Sequence, residues 1–573
     1  MRYKCRVSRF VVAALLSLSL PLFAGQAPKA NTSSSRQGYS DILQYISAAW
    51  PALTRTMTSC RTVTDPKAPA KSILYFPADF RVPSEEQSLA KNCSVRLEHL
   101  PVVITKLGEF NAGKIEPHGL LYLPHPYVVP GGMFNEMYGW DSYFIIRGLL
   151  EAGKTDLARG IVENFFFEID HYGGFLNANR GYVLERSQPP FLTSMVRAVY
   201  DAEKAGGRED KAFLEAAYPH AVKDYELWVH EPHLAGDTGL SRYYAFGEGP
   251  VPELGAESSS YYRGVARYFL MHPAEAGQFF ARGDASPTEK PMGPSFSLFV
   301  CDSGSNTAAT KGCDDAGRVS LTREFYEGDR SVRESGFDIS FRFGPFGAAT
   351  HHFAAVDLNS LLYKVETDLE WMSEQLGKND ESLQWAERAE KRRAAVMKYL
   401  WNAERGLFFD YDFTTGAQSS YVYATAFYPL WTGLATPEQA KAVAENLKLF
   451  EHSGGLVMSE RETSAQWDYP YGWAPVELIA IEGLRRYGFN DAANQCSFDF
   501  LSDVLKNFRR DGTIREKYNV VASSSETKVT IGYAKNQIGF GWTNGAFLVL
   551  LNALPEEWKS KLAEIKEEKG AEK

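Results

Sequence analysis

The sequence predicts an all-α protein, a toroid or solenoid of helices, and three observations carry that expectation. Between residues 356 and 376, Leu358, Leu361, Leu362, Val365, Leu369, Met372 and Leu376 recur at helical spacing. Helix punctuation repeats along the chain: Thr436, Pro437 and Gln439 supply an N-cap, an N1 proline and a capping-box partner, and Gly488 stops the run that Pro475 opens. Long strand-like alternation is scarce, and no fixed-period repeat supports an array of short helical repeats.

Taken in order, residues 1–27 read as a secretory signal peptide. Arg2, Lys4, Arg6 and Arg9 precede an apolar stretch over 10–20, and the small residues Ala24, Gly25 and Ala27 follow. An exported protein, periplasmic or secreted, is therefore expected, and no later stretch is long and apolar enough to span a membrane. Residues 28–105 read as an N-terminal tail and lead-in, 106–555 as the helical body, and 556–573 as a charged C-terminal helix and tail. Within the body, residues 272–330 are rich in Gly, Pro, Ser and Asp and read as an insertion or lid. Leu478, Ile481 and Leu484 mark the helix after Pro475, and residues 548–554 and 558–565 mark the last two.

Composition narrows the function classes. In 573 residues, 44% are hydrophobic and 23% charged, which excludes a disordered or collagen-like chain. The formal charge of −10, with no basic block, disfavours nucleic acid and anionic membranes as partners. Aromatics at 13% suit either sugar stacking or bulky helix packing. Of the six cysteines, Cys60–Cys93 and Cys301–Cys313 are the plausible local disulfides, with Cys496 left as a buried thiol. The chain is expected to act as a monomer.

Several motifs resolve to bland readings. Residues 108–115 approach a phosphate-binding loop, but Ile115 has no hydroxyl for magnesium and Pro117 blocks a clean helix. Asp302, Gly304 and Asn306 approach a calcium loop whose twelfth position is Cys313 instead of Glu. His351 and His352 are adjacent, so on a helix they diverge by about 100° and bind one metal poorly. No metal ligand set, no cofactor and no serine-hydrolase elbow is expected.

A different set of residues clusters at the loops leading into helices. PGGMFNEMYGWDSY (130–143) holds Trp140 and Asp141, and Asn177 precedes Arg186, Ser187 and Gln188 in RSQPP. Glu334-Ser335-Gly336-Phe337-Asp338 places an acid after a glycine, and QWDYPYGWAP (466–475) holds Gln466, Trp467, Asp468 and Trp473. REKYN (515–519) holds Glu516, and GFGWTNG (539–545) holds Trp542. Indoles stack on the apolar faces of sugars, while carboxylates, amides and guanidinium groups bind hydroxyls.

These motifs, with LSRYY (240–244) and AVDLN (355–359), resemble the trehalase family of glycoside hydrolases over about residues 72–554. The resemblance implies an (α/α)6 barrel with its site in the loops at one end, and hydrolysis of α,α-trehalose to two glucoses with inversion. It implies Asp338 as general acid and Glu516 as general base. It implies substrate binding by Trp140, Asp141, Asn177, Arg186, Ser187, Gln188, Glu253 and Gly336, to which Gln466, Trp467, Asp468, Trp473 and Trp542 are added from their motifs. The chain departs from the family pattern where Met133 and Val251 replace arginines, Phe337 replaces a tryptophan, and Tyr533 stands near an expected glutamate. Two readings follow: Arg263 or Arg342 fills the vacated space and trehalose is the substrate, or another α-glucoside is. A non-catalytic sugar-binding relative is the third, opposed by retention of both acids. Glu516 must stay ionised, and either Arg515 or Lys517 could assist it.

Overall fold

The computed structural model describes residues 38–66, 72–283, 292–300, 314–532 and 534–565. The expectations for residues 1–27, the Cys301–Cys313 pair, the Asp302 loop and Tyr533 lie outside these. The chain is built on helices α1 (Ser40–Leu53), α2 (Gly139–Glu151), α3 (Thr155–His171), α4 (Leu192–Ala205) and α5 (Lys211–Trp228). After α6 (Ser258–Met271) and α7 (Arg323–Glu334) come α8 (Val356–Gln375), α9 (Asn379–Tyr399), α10 (Tyr428–Thr432) and α11 (Pro437–Glu445). The chain continues through α12 (Ala474–Arg486), α13 (Asn490–Asp511), α14 (Gly541–Ala553) and α15 (Glu556–Ala563).

Helices α2, α4, α8, α10, α12 and α14 pack each on the next, and α14 returns to α2, closing an inner ring. Their sequences show why they sit inside. In α2 every residue from Gly139 to Ile146 is buried, and in α12 so is every residue from Ala474 to Ile481. A helix buried on all sides belongs to the centre of a protein. The outer helices α3, α5, α9, α11 and α13 each follow an inner partner in the chain, and their apolar residues form one stripe. In α9 the buried set is Ser382, Trp385, Ala389, Arg392 and Val396, spaced by three and four. The arrangement is an (α/α)6 barrel.

The remaining outer helix is α1, which packs on α14. Its stripe of Ile42, Tyr45, Ile46, Ala49, Trp50 and Leu53 is buried. A lead-in ending at 105 would leave this helix outside the barrel, whereas the structure makes it the outer partner of the last inner helix. The seam between α2 and α14 depends on two glycines. A Cβ on Gly148 would lie 2.3 Å from Gly545 Cα, and one on Gly545 would lie 2.2 Å from the Phe144 carbonyl oxygen. Only glycine permits that approach of the two backbones, and the ring closes there.

Strands are peripheral. A parallel sheet orders β2 (Arg96–His99), β1 (Ile73–Phe76) and β3 (Leu120–Leu121) as β2-β1-β3. Between α6 and α7, the expected insertion holds an antiparallel sheet of β4 (Phe280–Arg282), β5 (Ser295–Val300) and β6 (Asp314–Leu321), ordered β4-β6-β5. Phe296, Leu298, Val319 and Leu321 join the main apolar core, so this segment leans on the helical body. A short antiparallel pair, β7 (Tyr471–Trp473) with β8 (Lys517–Asn519), sets Trp473 opposite Lys517. Cys60 and Cys93 form a disulfide, and Cys496 is a buried free thiol.

Candidate active site

The loops before the inner helices converge on a cavity of about 980 Å³ at one end of the barrel. Trp140 and Asp141 stand in the first turn of α2, where the backbone N–H of Trp140 donates to Gln188 Oε1 (2.9 Å). Asn177 is tied to the next segment by its N–H donating to the Arg186 carbonyl (3.0 Å). Trp473 opens α12 and Trp542 opens α14, so their indoles reach the same space. Trp140, Trp467 and Trp542 cluster with ring centroids 5.8–6.3 Å apart, and Trp467 stacks on Trp473 at 3.7 Å. Together they make an apolar wall suited to the C–H face of a sugar.

Of the residues singled out in the sequence, Trp140, Asp141, Asn177, Arg186, Gln188, Glu253, Gly336, Gln466, Trp467, Trp473 and Trp542 line the cavity, with Asp338 and Glu516. Ser187 and Asp468 do not. Ser187 donates its hydroxyl to the Phe175 carbonyl (2.7 Å). Asp468 accepts from the Ser340 hydroxyl (2.7 Å) and the Phe341 N–H (2.9 Å) and is fully buried. Both are polar groups consumed in holding loops, a correction to their expected place against substrate.

Gly336 aims the acid. Its φ of +78° lies in the left-handed region, and a Cβ there would meet Trp140 Cε2 at 2.9 Å. The chain therefore turns against the indole and presents Asp338 two residues later. Burial raises the Asp338 pKa to about 7, although Arg333 and Arg186 pull it down. Arg333 Nη1 lies 3.6 Å from Asp338 Oδ2. Asp141 is raised well above the ordinary range, first by burial and further by the charges of Glu516 and Asp338.

Glu516 lines the same cavity, on the segment that β8 anchors. Lys517 Nζ donates to Glu516 Oε2 (3.1 Å) and to Gln466 Oε1 (3.1 Å), and lies 4.7 Å from the Trp473 ring. Arg515 turns away, its Nε on Asp511 Oδ2 at 3.2 Å. Of the two cations flanking Glu516, Lys517 is the one beside it. The Trp542 indole N–H donates to the Glu516 carbonyl (3.1 Å), and Gln466 Nε2 donates to the Asp338 carbonyl (2.5 Å).

Sequence reasoning missed Arg333. It lies in the last turn of α7, and its Nη2 donates to Asp329 Oδ1 (3.3 Å). Its Nε stands 3.7 Å from Glu253 Oε1, which also accepts from Arg186 Nη1 (2.8 Å). Burial alone would raise the Glu253 pKa, but the two guanidinium groups outweigh it and hold the carboxyl at about 2. The available signal was an i, i+4 Asp–Arg pair ending one residue before the Glu334-Ser335-Gly336 turn. Neither Arg263 nor Arg342, the two arginines expected to fill the vacated space, lines the cavity. Arg342 is fully buried on Asp357 (2.6 Å) and Asp410 (2.5 Å). Arg263 lies over the Phe296 ring at 5.1 Å. Val251 is buried, its N–H donating to the Tyr262 hydroxyl, whereas Met133 lines the cavity and is 43% exposed.

The closed double ring of helices, with tryptophans, guanidinium groups and the carboxyls of Asp338 and Glu516 lining one cavity at its end, is an (α/α)6 architecture of the kind found in the trehalase family. The chain belongs to the trehalase family, whose model matches residues 76–269 and 318–555. It is 38% identical over 471 residues to a probable trehalase of Eremothecium gossypii, covering 76% of this chain and 59% of that one. It is 38% identical over 458 residues to a cytosolic neutral trehalase of Saccharomyces cerevisiae, covering 74% and 56%. The solved structure of a neutral trehalase from Saccharomyces cerevisiae superposes with a TM-score of 0.73 at 32% identity, covering 92% of this chain and 96% of that one. The chain thus spans less than three-fifths of the length of these two curated relatives.

The comparisons also correct the expected compartment. Relatives from Saccharomyces cerevisiae and Neurospora crassa are named cytosolic neutral trehalases, which overturns the expectation of an exported, signal-bearing protein. That expectation rested on basic residues followed by an apolar stretch, a pattern of composition with no structural contact behind it.

Proposed function

We propose that the chain hydrolyses α,α-trehalose to two glucoses with inversion. Asp338 acts as general acid and donates its proton to the glycosidic oxygen as the C–O bond breaks. Glu516 acts as general base and takes a proton from the water that attacks the anomeric carbon on the opposite face. The observation that carries the reading is two carboxyl groups, Asp338 and Glu516, lining one tryptophan-walled cavity, and burial, which pushes the Asp338 pKa up to about 7, supports it as the group that donates a proton. The Lys517 ammonium lies 3.1 Å from Glu516 Oε2 and holds that carboxyl in place within the site. Inversion asks for roughly 6.5–9.5 Å between the two carboxyl groups, room for one water. Neither step requires a metal or an organic cofactor.

The tryptophan wall and the residues Asp141, Asn177, Gln188, Arg186 and Glu253 support recognition of a compact polyhydroxylated substrate. Arg333 adds a second guanidinium to the cavity lining beside Arg186, which supports trehalose over a different α-glucoside. A second reading rests on Met133 alone: an exposed thioether at the mouth would suit a substrate with a less polar leaving group. Glucose release from a panel of α-linked disaccharides tests both. Trehalose should be the preferred substrate; a preference for another α-glucoside would replace this reading with the second, and no turnover on any would refute both.

A further inference from the structure

Away from the cavity, two histidines converge on one carboxylate. His351 Nε2 lies 3.1 Å and His352 Nε2 lies 3.2 Å from the same oxygen, Glu324 Oε2. Among the described residues this trio brings its donor atoms within 4.8 Å of one another. Glu327 Oε2 stands 3.8 Å from His351 Nε2, beside this trio. Adjacent histidines diverge on an α-helix, but these occupy a tight turn over Thr350–His352 that runs into an extended residue, and both rings swing to the start of α7.

We propose that Glu324, His351 and His352 form a structural site for a divalent transition metal, zinc in the first instance, with Glu327 close enough to His351 to join once the ion is bound. Zinc takes imidazole nitrogen and carboxylate oxygen at about 2.0–2.2 Å in a tetrahedron, which spaces its donors about 3.3–3.5 Å apart. The two histidine-to-Glu324 separations, 3.1 and 3.2 Å, lie close to those edges. Two carboxylates and two neutral imidazoles balance its charge. The site is built: His351 is 3% exposed, and Arg242 Nη1 holds its carbonyl at 2.8 Å, fixing the turn. Arg323 occupies the other oxygen of Glu327 at 2.7 Å, leaving Oε2 to face the histidines. Glu324 remains partly exposed and gives the ion a path from solvent.

The placement defines a role. Glu324 stands in the first turn of α7, and the same helix carries Arg333 in its last turn and leads to Gly336 and Asp338. Nine residues of helix put about 14 Å between the cluster and Arg333, too far for the ion to touch substrate. A metal here would clamp the start of α7 to the turn before α8 and so brace the helix that delivers the acid.

The test uses the untagged full chain, stripped with a chelator and titrated with Zn²⁺ or Co²⁺. One equivalent should bind, Co²⁺ should develop the visible absorption of a tetrahedral site, and Tm should rise by about 2–4 °C. Glu324→Gln, nearly isosteric, and His352→Ala should each lower affinity at least tenfold, with turnover of the metal-free forms little changed. Failure of either ion to bind, or binding that both variants leave intact, would show a hydrogen-bonded trio only and overturn the proposal.

Discussion

Arg333 Nη1 lies 3.6 Å from Asp338 Oδ2, so a guanidinium that the sequence motifs do not mark sits directly beside the proposed general acid. Two opposing influences thereby meet on one carboxyl: burial raises its pKa, and Arg333 leads the charges that lower it. In Arg333→Gln the pKa of Asp338 should rise further. A general acid works only while protonated, so the alkaline limb of kcat/KM, set by the Asp338 pKa of about 7, should move to higher pH. Loss of a charged contact to substrate should also cost about 1.5–3 kcal/mol, or one to two powers of ten in kcat/KM. A pH–rate profile of the variant checks both; an unmoved limb would separate Arg333 from Asp338.

Asp338→Asn and Glu516→Gln should each lower kcat by at least ~10²–10⁴, the usual span for a proton-transfer group. The same Asp338 variant should gain stability at alkaline pH. The unfolded carboxyl loses its proton near 3.8, while the folded one holds it to about 7, so the wild type loses stability as pH rises between those values. The side chain is 24% exposed, so the gain above pH 7 should be roughly 1–4 kcal/mol and absent below pH 4. Thermal unfolding of both proteins at pH 4 and pH 8 measures it.

Gly545→Ala should be among the most damaging single-methyl changes in the chain. Its Cβ would sit 2.2 Å from the Phe144 carbonyl oxygen, which is backbone and cannot swing away. Forcing α2 from α14 should cost about 1–3 kcal/mol or more, read as a lower denaturant midpoint, whereas Gly153→Ala meets no atom within 4 Å and should suffer only from its φ of +68°.

Met133→Arg places a guanidinium at the cavity mouth. If Arg333 already meets the need for a cation, the variant should leave the ratio of trehalose to other α-glucosides within about threefold. A tenfold or greater rise in trehalose kcat/KM would instead show that Met133 had shifted specificity.

Much of this fold was legible because helices declare themselves locally. The Thr436–Gln439 capping box forms as written, with bonds of 2.9 and 3.2 Å, and the stripe beginning at Leu358 is buried in α8. The place of α1 was not, because it is set by contacts far along the chain, such as the Tyr45 hydroxyl 2.8 Å from Thr513 Oγ1. Strand β5 was readable in the alternation of Ser295, Phe296, Ser297 and Leu298 but was masked by the glycine- and proline-rich stretch before it. In the site, residue type named the chemistry while direction decided membership. Asp468 and Gln466 share a motif, yet one points inward to Ser340 and the other reaches the cavity. Arg342 is taken up by two buried aspartates that only the fold brings to it, and Arg333, which belongs to no sequence motif, is placed in the site by α7.

The most direct test follows the anomers of glucose by NMR during the first minutes of trehalose hydrolysis. Inversion at one anomeric carbon, with the other glucose leaving unchanged, predicts equal initial amounts of β- and α-glucose before mutarotation. Release of α-glucose alone would mean retention and would contradict the assignment of Asp338 as acid and Glu516 as base.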